Sequence, residues 1–181
     1  MNIYERVAQK REAGNVERWH LLPHIGHQDV AAHTWQATML LLELYPKASR
    51  RLIIYMLNHD VTERWIGDIP ANSKGLFPAI GAGVIDAEKQ LTKERGLPDA
   101  EKLTPYERCW ARACDALELV LWCKEQEAMG SKMTEDSMKA VTHWINTEEC
   151  VPGPVKKFLA NYKWKRYPDY LWGEKQYGNN E

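Results

Sequence analysis

Val30-Ala31-Ala32-His33-Thr34-Trp35-Gln36-Ala37-Thr38-Met39-Leu40-Leu41-Leu42-Glu43-Leu44-Tyr45 is the stretch that decides the fold class. Within it Val30, His33, Thr34, Ala37, Leu40, Leu41 and Leu44 recur three and four residues apart. That spacing builds one face of an α-helix, whereas a half-buried strand would alternate. Asp29 stands at the N-cap position and Pro46 at the stop, so His33 is expected to face inward from a helix.

Working outward, Ala48, Leu52, Tyr55, Met56 and His59 continue the same periodicity, and the Gly67-Asp68-Ile69-Pro70 turn closes the segment. His59 and Asp60 are expected near a helix end. Thr104-Pro105-Tyr106-Glu107 reads as a capping box with proline at the first helical position, starting a helix that runs to Met129. Asp115 falls near its middle among Cys114, Leu117, Leu119, Val120, Leu121 and Trp122. An ionised carboxylate buried there needs a cation. Thr134 starts a further helix through Met138, Val141 and Ile145, and the Pro152-Gly153-Pro154 break precedes an amphipathic stretch with Val155, Phe158, Leu159 and Tyr162. Strand signals are nearly absent and no internal repeat is apparent. The expectation is an all-α bundle forming one domain over residues 1–181.

Composition narrows the function. The 181 residues are 44% hydrophobic with a net charge of −1, enough to bury one sizeable core but without the basic footprint of a nucleic-acid binder. Met1-Asn2-Ile3-Tyr4-Glu5-Arg6-Val7 is charged, so no signal peptide is expected, and no apolar run nears the ~20 residues of a membrane span. The expected compartment is the cytoplasm. Cys109, Cys114, Cys123 and Cys150 have neither CxxC spacing nor the density of a disulfide scaffold and read as reduced packing residues.

His33, His59, Asp60 and Asp115 remain as a candidate metal set. Imidazole nitrogen and carboxylate oxygen together suit a borderline to hard divalent ion such as Zn, Mn or Co. Singly, each residue has an ordinary reading as a packed histidine or a locally bonded aspartate. Their order along the chain changes that reading. Arg18-Trp19, His33, His59-Asp60-Val61-Thr62-Glu63, Gly67-Asp68-Ile69-Pro70 and a distant Asp115 in Cys114-Asp115-Ala116-Leu117-Glu118 together resemble the HD-domain phosphohydrolases. Within them the pattern, spanning about residues 15 to 127, is most similar to the compact 5′-deoxynucleotidase group.

The resemblance implies an HD-type helical bundle with a divalent ion held between helices by His33, His59, Asp60 and Asp115. It implies Glu63 as the residue that positions or deprotonates the attacking water; a solvated surface glutamate is the ordinary alternative. Asp68 would donate a proton to the leaving oxygen, with local backbone capping as the equal alternative. Arg18, Lys74 and Arg112 are the phosphate candidates, Arg112 sharing a helix face with Asp115. Trp19 would pack against the sugar and exclude a 2′-hydroxyl, and Leu21 and Pro78 would line the base.

The implied substrate is a small-molecule 2′-deoxynucleotide. The Arg-Trp pair with apolar Leu21 and Pro78 looks most like the viral dATP triphosphohydrolases of this group, which release deoxyadenosine and triphosphate. A second Mg or Mn can arrive with such a substrate. The alternative is a 5′-deoxynucleotidase acting on monophosphates. From other classes, a non-catalytic nucleotide-binding module would be expected to lack Glu63 or Asp68, and a nucleic-acid-binding helical protein would be more basic. His20, His24 and His27, interrupted by Pro23 and Gly26, read as a loop at the pocket rim, and His143 as helix surface. The aromatic and basic stretch from Lys156 to Tyr170 is expected to pack on the bundle or on a neighbouring subunit of a homo-oligomer.

Overall fold

Thr104 and Glu107 begin the helix on which the bundle is built. Their reciprocal bonds, Glu107 N–H to Thr104 Oγ1 at 3.2 Å and Thr104 N–H to Glu107 Oε2 at 2.8 Å, satisfy orphan donors at its first turn. The computed structural model describes residues 2–163. Its helices are α1 (Ile3–Ala13), α2 (Val30–Leu44), α3 (Arg50–Met56), α4 (Glu63–Ile66), α5 (Ala71–Leu76), α6 (Pro78–Arg95), α7 (Pro105–Ala128), α8 (Glu135–Thr147) and α9 (Gly153–Asn161). Among the described residues no strand forms, and the backbone otherwise pairs only at an isolated bridge between Glu17 and Asp29.

Helix α7 packs against α2, α3, α8 and α9. Leu41, Leu52, Met56, Trp110, Leu117, Val120, Ile145 and Val155 meet there with almost no exposure, each burial worth about 1.5–3 kcal/mol. The predicted α2 stripe is the buried one at Val30, His33, Thr34, Ala37 and Leu41, with Asp29 Oδ1 accepting the Ala32 N–H at 2.7 Å as N-cap. A smaller cluster of Ala13, Val61 and Leu97 with Trp65 ties α1 to α4. The segment between α1 and α2 is clamped to the start of α2 by Val30 N–H to Val16 O and Arg18 N–H to Gln28 O, both 3.0 Å.

Two expectations change. The helix expected through His59 ends at Met56, and His59 and Asp60 lie in successive turns. Asn58 Nδ2–H donates to Ile54 O and His59 Nδ1–H to Met56 O, both at 2.7 Å. Side chains thus take the carbonyls that continued helix would have used. Asp115 is not set among apolar residues either: its side chain is 46% exposed and its Oδ1 lies 3.0 Å from His33 Nε2. Helices α1, α5 and α6 are additional to the sequence reading; α6 contributes no buried residue. The four cysteines are free thiols, and His143 is exposed. Among the described residues no helix is long and apolar enough to cross a membrane. Of the Lys156–Tyr170 stretch, the part from 164 onward lies outside the described residues.

Candidate metal centre

Four segments converge at one end of the α2–α7 seam: α2 brings His33, the turn after α3 brings His59 and Asp60, α7 brings Asp115, and the clamped segment brings Arg18. His33 Nε2 lies 3.0 Å from Asp115 Oδ1 and 3.5 Å from Asp60 Oδ2. His59 Nε2 lies 3.4 Å from Asp60 Oδ1 and 3.7 Å from Asp115 Oδ1. Donor atoms about 2.0–2.2 Å from a shared ion stand roughly 3–3.6 Å from one another, so these spacings suit a first-row divalent ion. His33, His59 and Asp60 each offer an atom within 4.8 Å of the others.

The orientation of both rings supports that fit. The Met56 carbonyl can only accept, so His59 carries its hydrogen on Nδ1 and leaves the Nε2 lone pair facing the cluster. Glu118 Oε2 does the same for His33 by accepting from Nδ1–H. Both Nε2 atoms are buried without a hydrogen-bond partner, a costly state unless a cation takes their lone pairs. Burial lowers the His33 pKa, but the Asp115 carboxylate facing Nε2 and the Glu118 carboxylate on Nδ1 outweigh it and raise the value to about 10. For His59, burial is likewise overcome, chiefly by Asp60, to about 9. Loss of water around the oxygen that meets the buried imidazoles pushes the Asp115 carboxyl upward, yet the two imidazoles hold it well below the usual carboxylate range. The surplus of negative charge that keeps protons on these rings is what a divalent cation would meet.

Around the ligands, Arg18 Nη1 donates to Asp60 Oδ2 at 2.8 Å and sits 3.9 Å from Glu63 Oε1. Burial alone would lower the Arg18 pKa; Asp60, Glu63, Asp115 and Asp68 together raise it. Glu63, at the start of α4, is held up to about 8 by burial and by Asp60, and its Oε2 is buried without a partner. Asp60 and Glu63 are brought together by the Glu63 N–H to Asp60 O bond at 3.0 Å and by Arg18, which faces both. Asp68 acts electrostatically on Arg18 and Glu63, and His20 Nδ1 lies 3.9 Å from its Oδ2. Lys74 acts electrostatically on Glu88, which also feels Asp60 and His59, so α5 and α6 flank the cluster.

Trp19 adopts φ 64°, rare for a bulky side chain, and is held there from two sides. Its ring stacks on Trp122 with centroids 4.4 Å apart, and its Nε1–H donates to Gln28 Oε1 at 2.9 Å. Leu21 is exposed two residues on, and Pro78 is exposed at the first position of α6. Arg112 is not brought to the cluster: its guanidinium lies over the Trp144 ring at 5.3 Å, on the α8 side. His20 and His27 are exposed in the clamped segment, whereas His24 is half-buried, with its Nδ1 2.9 Å from Leu22 O and its ring edge-on to Trp122. Sequence reasoning missed Gln28, Glu118, Trp122 and Gln126. Glu118 sits one helical turn after Asp115, the one sign that could have found it.

Comparison by sequence finds no matching family model and no matching curated protein. Solved structures do match. One is the cyanophage S-2L HD phosphohydrolase DatZ, bound to dA and one catalytic Zn2+ ion, at TM-score 0.63 and 20% identity over 88% of this chain and 92% of that one. Another is the PH0347 protein from Pyrococcus horikoshii OT3, at TM-score 0.64 and 19% identity over 87% of this chain and 94% of that one. With its nine-helix arrangement over the described residues and DatZ covered almost end to end, this chain has the HD-phosphohydrolase fold.

Proposed function

We propose that the protein is a metal-dependent phosphohydrolase of 2′-deoxynucleotides, and specifically a dATP triphosphohydrolase releasing deoxyadenosine and triphosphate. The observation that carries the reading is the pair of buried, unbonded Nε2 atoms of His33 and His59, facing Asp60 and Asp115. The likeness to DatZ, which binds dA and a catalytic zinc, supports both the ion and the deoxynucleoside.

When bound, the ion lowers the pKa of a water from ~15.7 toward ~7 and offsets charge on the phosphoryl oxygens. Glu63, buried with one free carboxylate oxygen, takes the proton of the attacking water. Asp68 returns a proton to the leaving 5′-oxygen of the sugar. Arg18 holds the α-phosphate beside Asp60, and Lys74 reaches the distal phosphates from α5. Trp19, fixed by stacking and by its N–H bond, occupies the space beside C2′ and excludes ribose. Apolar Leu21 offers no acceptor to the exocyclic amine of guanine, which favours adenine. The seat of the Arg112 guanidinium over the Trp144 ring weakens its candidacy for phosphate.

A panel of deoxy- and ribonucleotide mono-, di- and triphosphates, assayed with Zn, Mn, Co and Mg and with products separated, tests the reading. Deoxyadenosine with intact triphosphate is expected from dATP. Accumulating dADP and dAMP would indicate stepwise removal instead. Turnover of dAMP with dATP untouched would move the protein to the 5′-deoxynucleotidase alternative. Asp115→Ala should lose ion and activity together; an active, metal-free variant would refute the site.

A further inference from the structure

Behind the proposed ion site lies a buried chain of hydrogen bonds that neither the ligand set nor the substrate contacts account for. Trp19 Nε1–H donates to Gln28 Oε1 at 2.9 Å, and Gln28 Nε2–H donates to Glu118 Oε1 at 2.8 Å. The other oxygen of Glu118 accepts from His33 Nδ1–H. Gln28, Glu118 and His33 are 2%, 3% and 0% exposed, so the two inner bonds are closed to solvent, while Trp19 at the outer end is half-buried.

The polarity of the chain is forced from one end. An indole N–H can only donate, so Gln28 must turn its carbonyl toward Trp19 and its amine toward Glu118. The carboxylate of Glu118 then receives a donor on each oxygen, which is what a buried charge requires. Reversing the amide would set N–H against N–H and oxygen against oxygen. Only one arrangement satisfies all four groups, and in that arrangement the His33 hydrogen is on Nδ1 and its Nε2 is free to bind an ion.

Helix α7 holds the chain in place. Asp115, Glu118, Trp122 and Gln126 fall three or four residues apart, along one stripe. Trp122 is the platform on which Trp19 stacks, and Gln126 clasps the Ile25 backbone by accepting its N–H at 2.8 Å and donating to its C=O at 2.9 Å. One helix face therefore carries a ligand, the group behind a second ligand, the support of Trp19 and the anchor of the segment that bears it.

We infer that Gln28 and Glu118 are positioning residues that join the Trp19 indole to the metal-binding nitrogen of His33, making the ion site and the sugar wall one hydrogen-bonded unit. This rests on the proposed ion at His33 and the proposed sugar contact of Trp19. Seating the ion orients His33, Glu118 and Gln28 in turn and so fixes the indole. Loss of a middle member loosens both ends.

Binding measurements on the full chain test this without recourse to turnover. Co(II) titrated into metal-free protein, followed by its visible absorption, reads the ion site. The indole N–H resonance of Trp19, assigned among the eight tryptophans by its loss in Trp19→Phe, reads the other end during a Zn titration. Wild-type protein should show the Trp19 resonance moving in step with ion occupancy. Glu118→Gln should weaken Co(II) binding by about 10–100-fold, the usual effect of removing a partner behind a histidine ligand. Gln28→Met, similar in volume and apolar, should weaken it near the lower end of that range and uncouple the Trp19 resonance from the ion. Tight wild-type binding with affinity unchanged in both variants would overturn the inference alone. Wild-type protein that takes up no ion would overturn the proposed function and this inference together. If Glu118→Gln does not fold, the wild-type titration and Gln28→Met still decide.

Discussion

Glu63 and Trp19 are the residues whose removal separates chemistry from binding. Glu63 touches Asp60 through the backbone and Arg18 through its side chain, but its second oxygen is committed to nothing. Glu63→Gln keeps the shape and removes the base, so turnover should fall by roughly 10²–10⁴-fold. The ion content of the purified variant, measured by elemental analysis, should not change. Loss of the ion in that variant would make Glu63 a ligand and not a base. Trp19 sits at φ 64°, held by Trp122 and Gln28, a strained posture that packing alone does not require of a surface-segment tryptophan. Trp19→Ala should narrow the preference for dATP over ATP by admitting ribose, seen as a rise in kcat/KM for ATP. Equal wild-type rates on the two nucleotides would remove the sugar-wall role altogether.

At the scale of elements, the α7 N-terminus offers a stability prediction with a defined pH window. Glu107 accepts from Ser49 Oγ at 2.5 Å, from Arg51 Nη2 at 2.8 Å and from the Thr104 N–H, coupling α7 to the start of α3. The Ser49 bond first, then the Thr104 backbone and Arg51, lower its carboxyl from 4.5 to about 2. A depressed carboxyl stabilises the folded chain fully above its ordinary value and loses that contribution as pH falls from about 4.5 through about 2. Glu107→Gln should cost about 1–2 kcal/mol at neutral pH and flatten acid unfolding within that window, measured by urea midpoints at successive pH values. The elements themselves were unequally legible. Helices α2 and α7 carry Asp29 and the Thr104–Glu107 box at one end and a broad apolar face along their length, so their periodicity is strong. Helix α6 buries nothing, leaving no apolar stripe to detect, and the helix expected at His59 ended early because Asn58 and His59 themselves cap it. The proposed ligand set could be picked out because its residues follow a recognised order. Gln28 and Glu118 were not, since they pair across 90 residues with no spacing to announce it.

For the molecule as a whole, the proposed ligands come from three stretches separated widely along the chain, so an ion would join α2, the turn after α3 and α7. Binding to the folded state alone stabilises by mass action, about 4 kcal/mol at a thousandfold excess over Kd. At roughly 2–4 °C per kcal/mol for a chain of this size, Zn or Mn should raise the melting temperature by about 8–16 °C over the chelated protein. A melt unmoved by ions across that concentration range would argue against a folded, high-affinity site. The stripe on α7 also bears on how the sequence can change. Asp115, Glu118, Trp122 and Gln126 depend on a common helical phase, and one inserted or deleted residue turns everything beyond it by about 100°. A single-residue insertion between Asp115 and Gln126 would therefore swing the later members of the stripe away from their partners at once, whereas the same insertion at Gly130, past the end of α7, would leave all of them in register. Length variation in this chain is thus tolerable at that turn and forbidden between Asp115 and Gln126 of one helix, a constraint that no substitution of a single side chain would reveal.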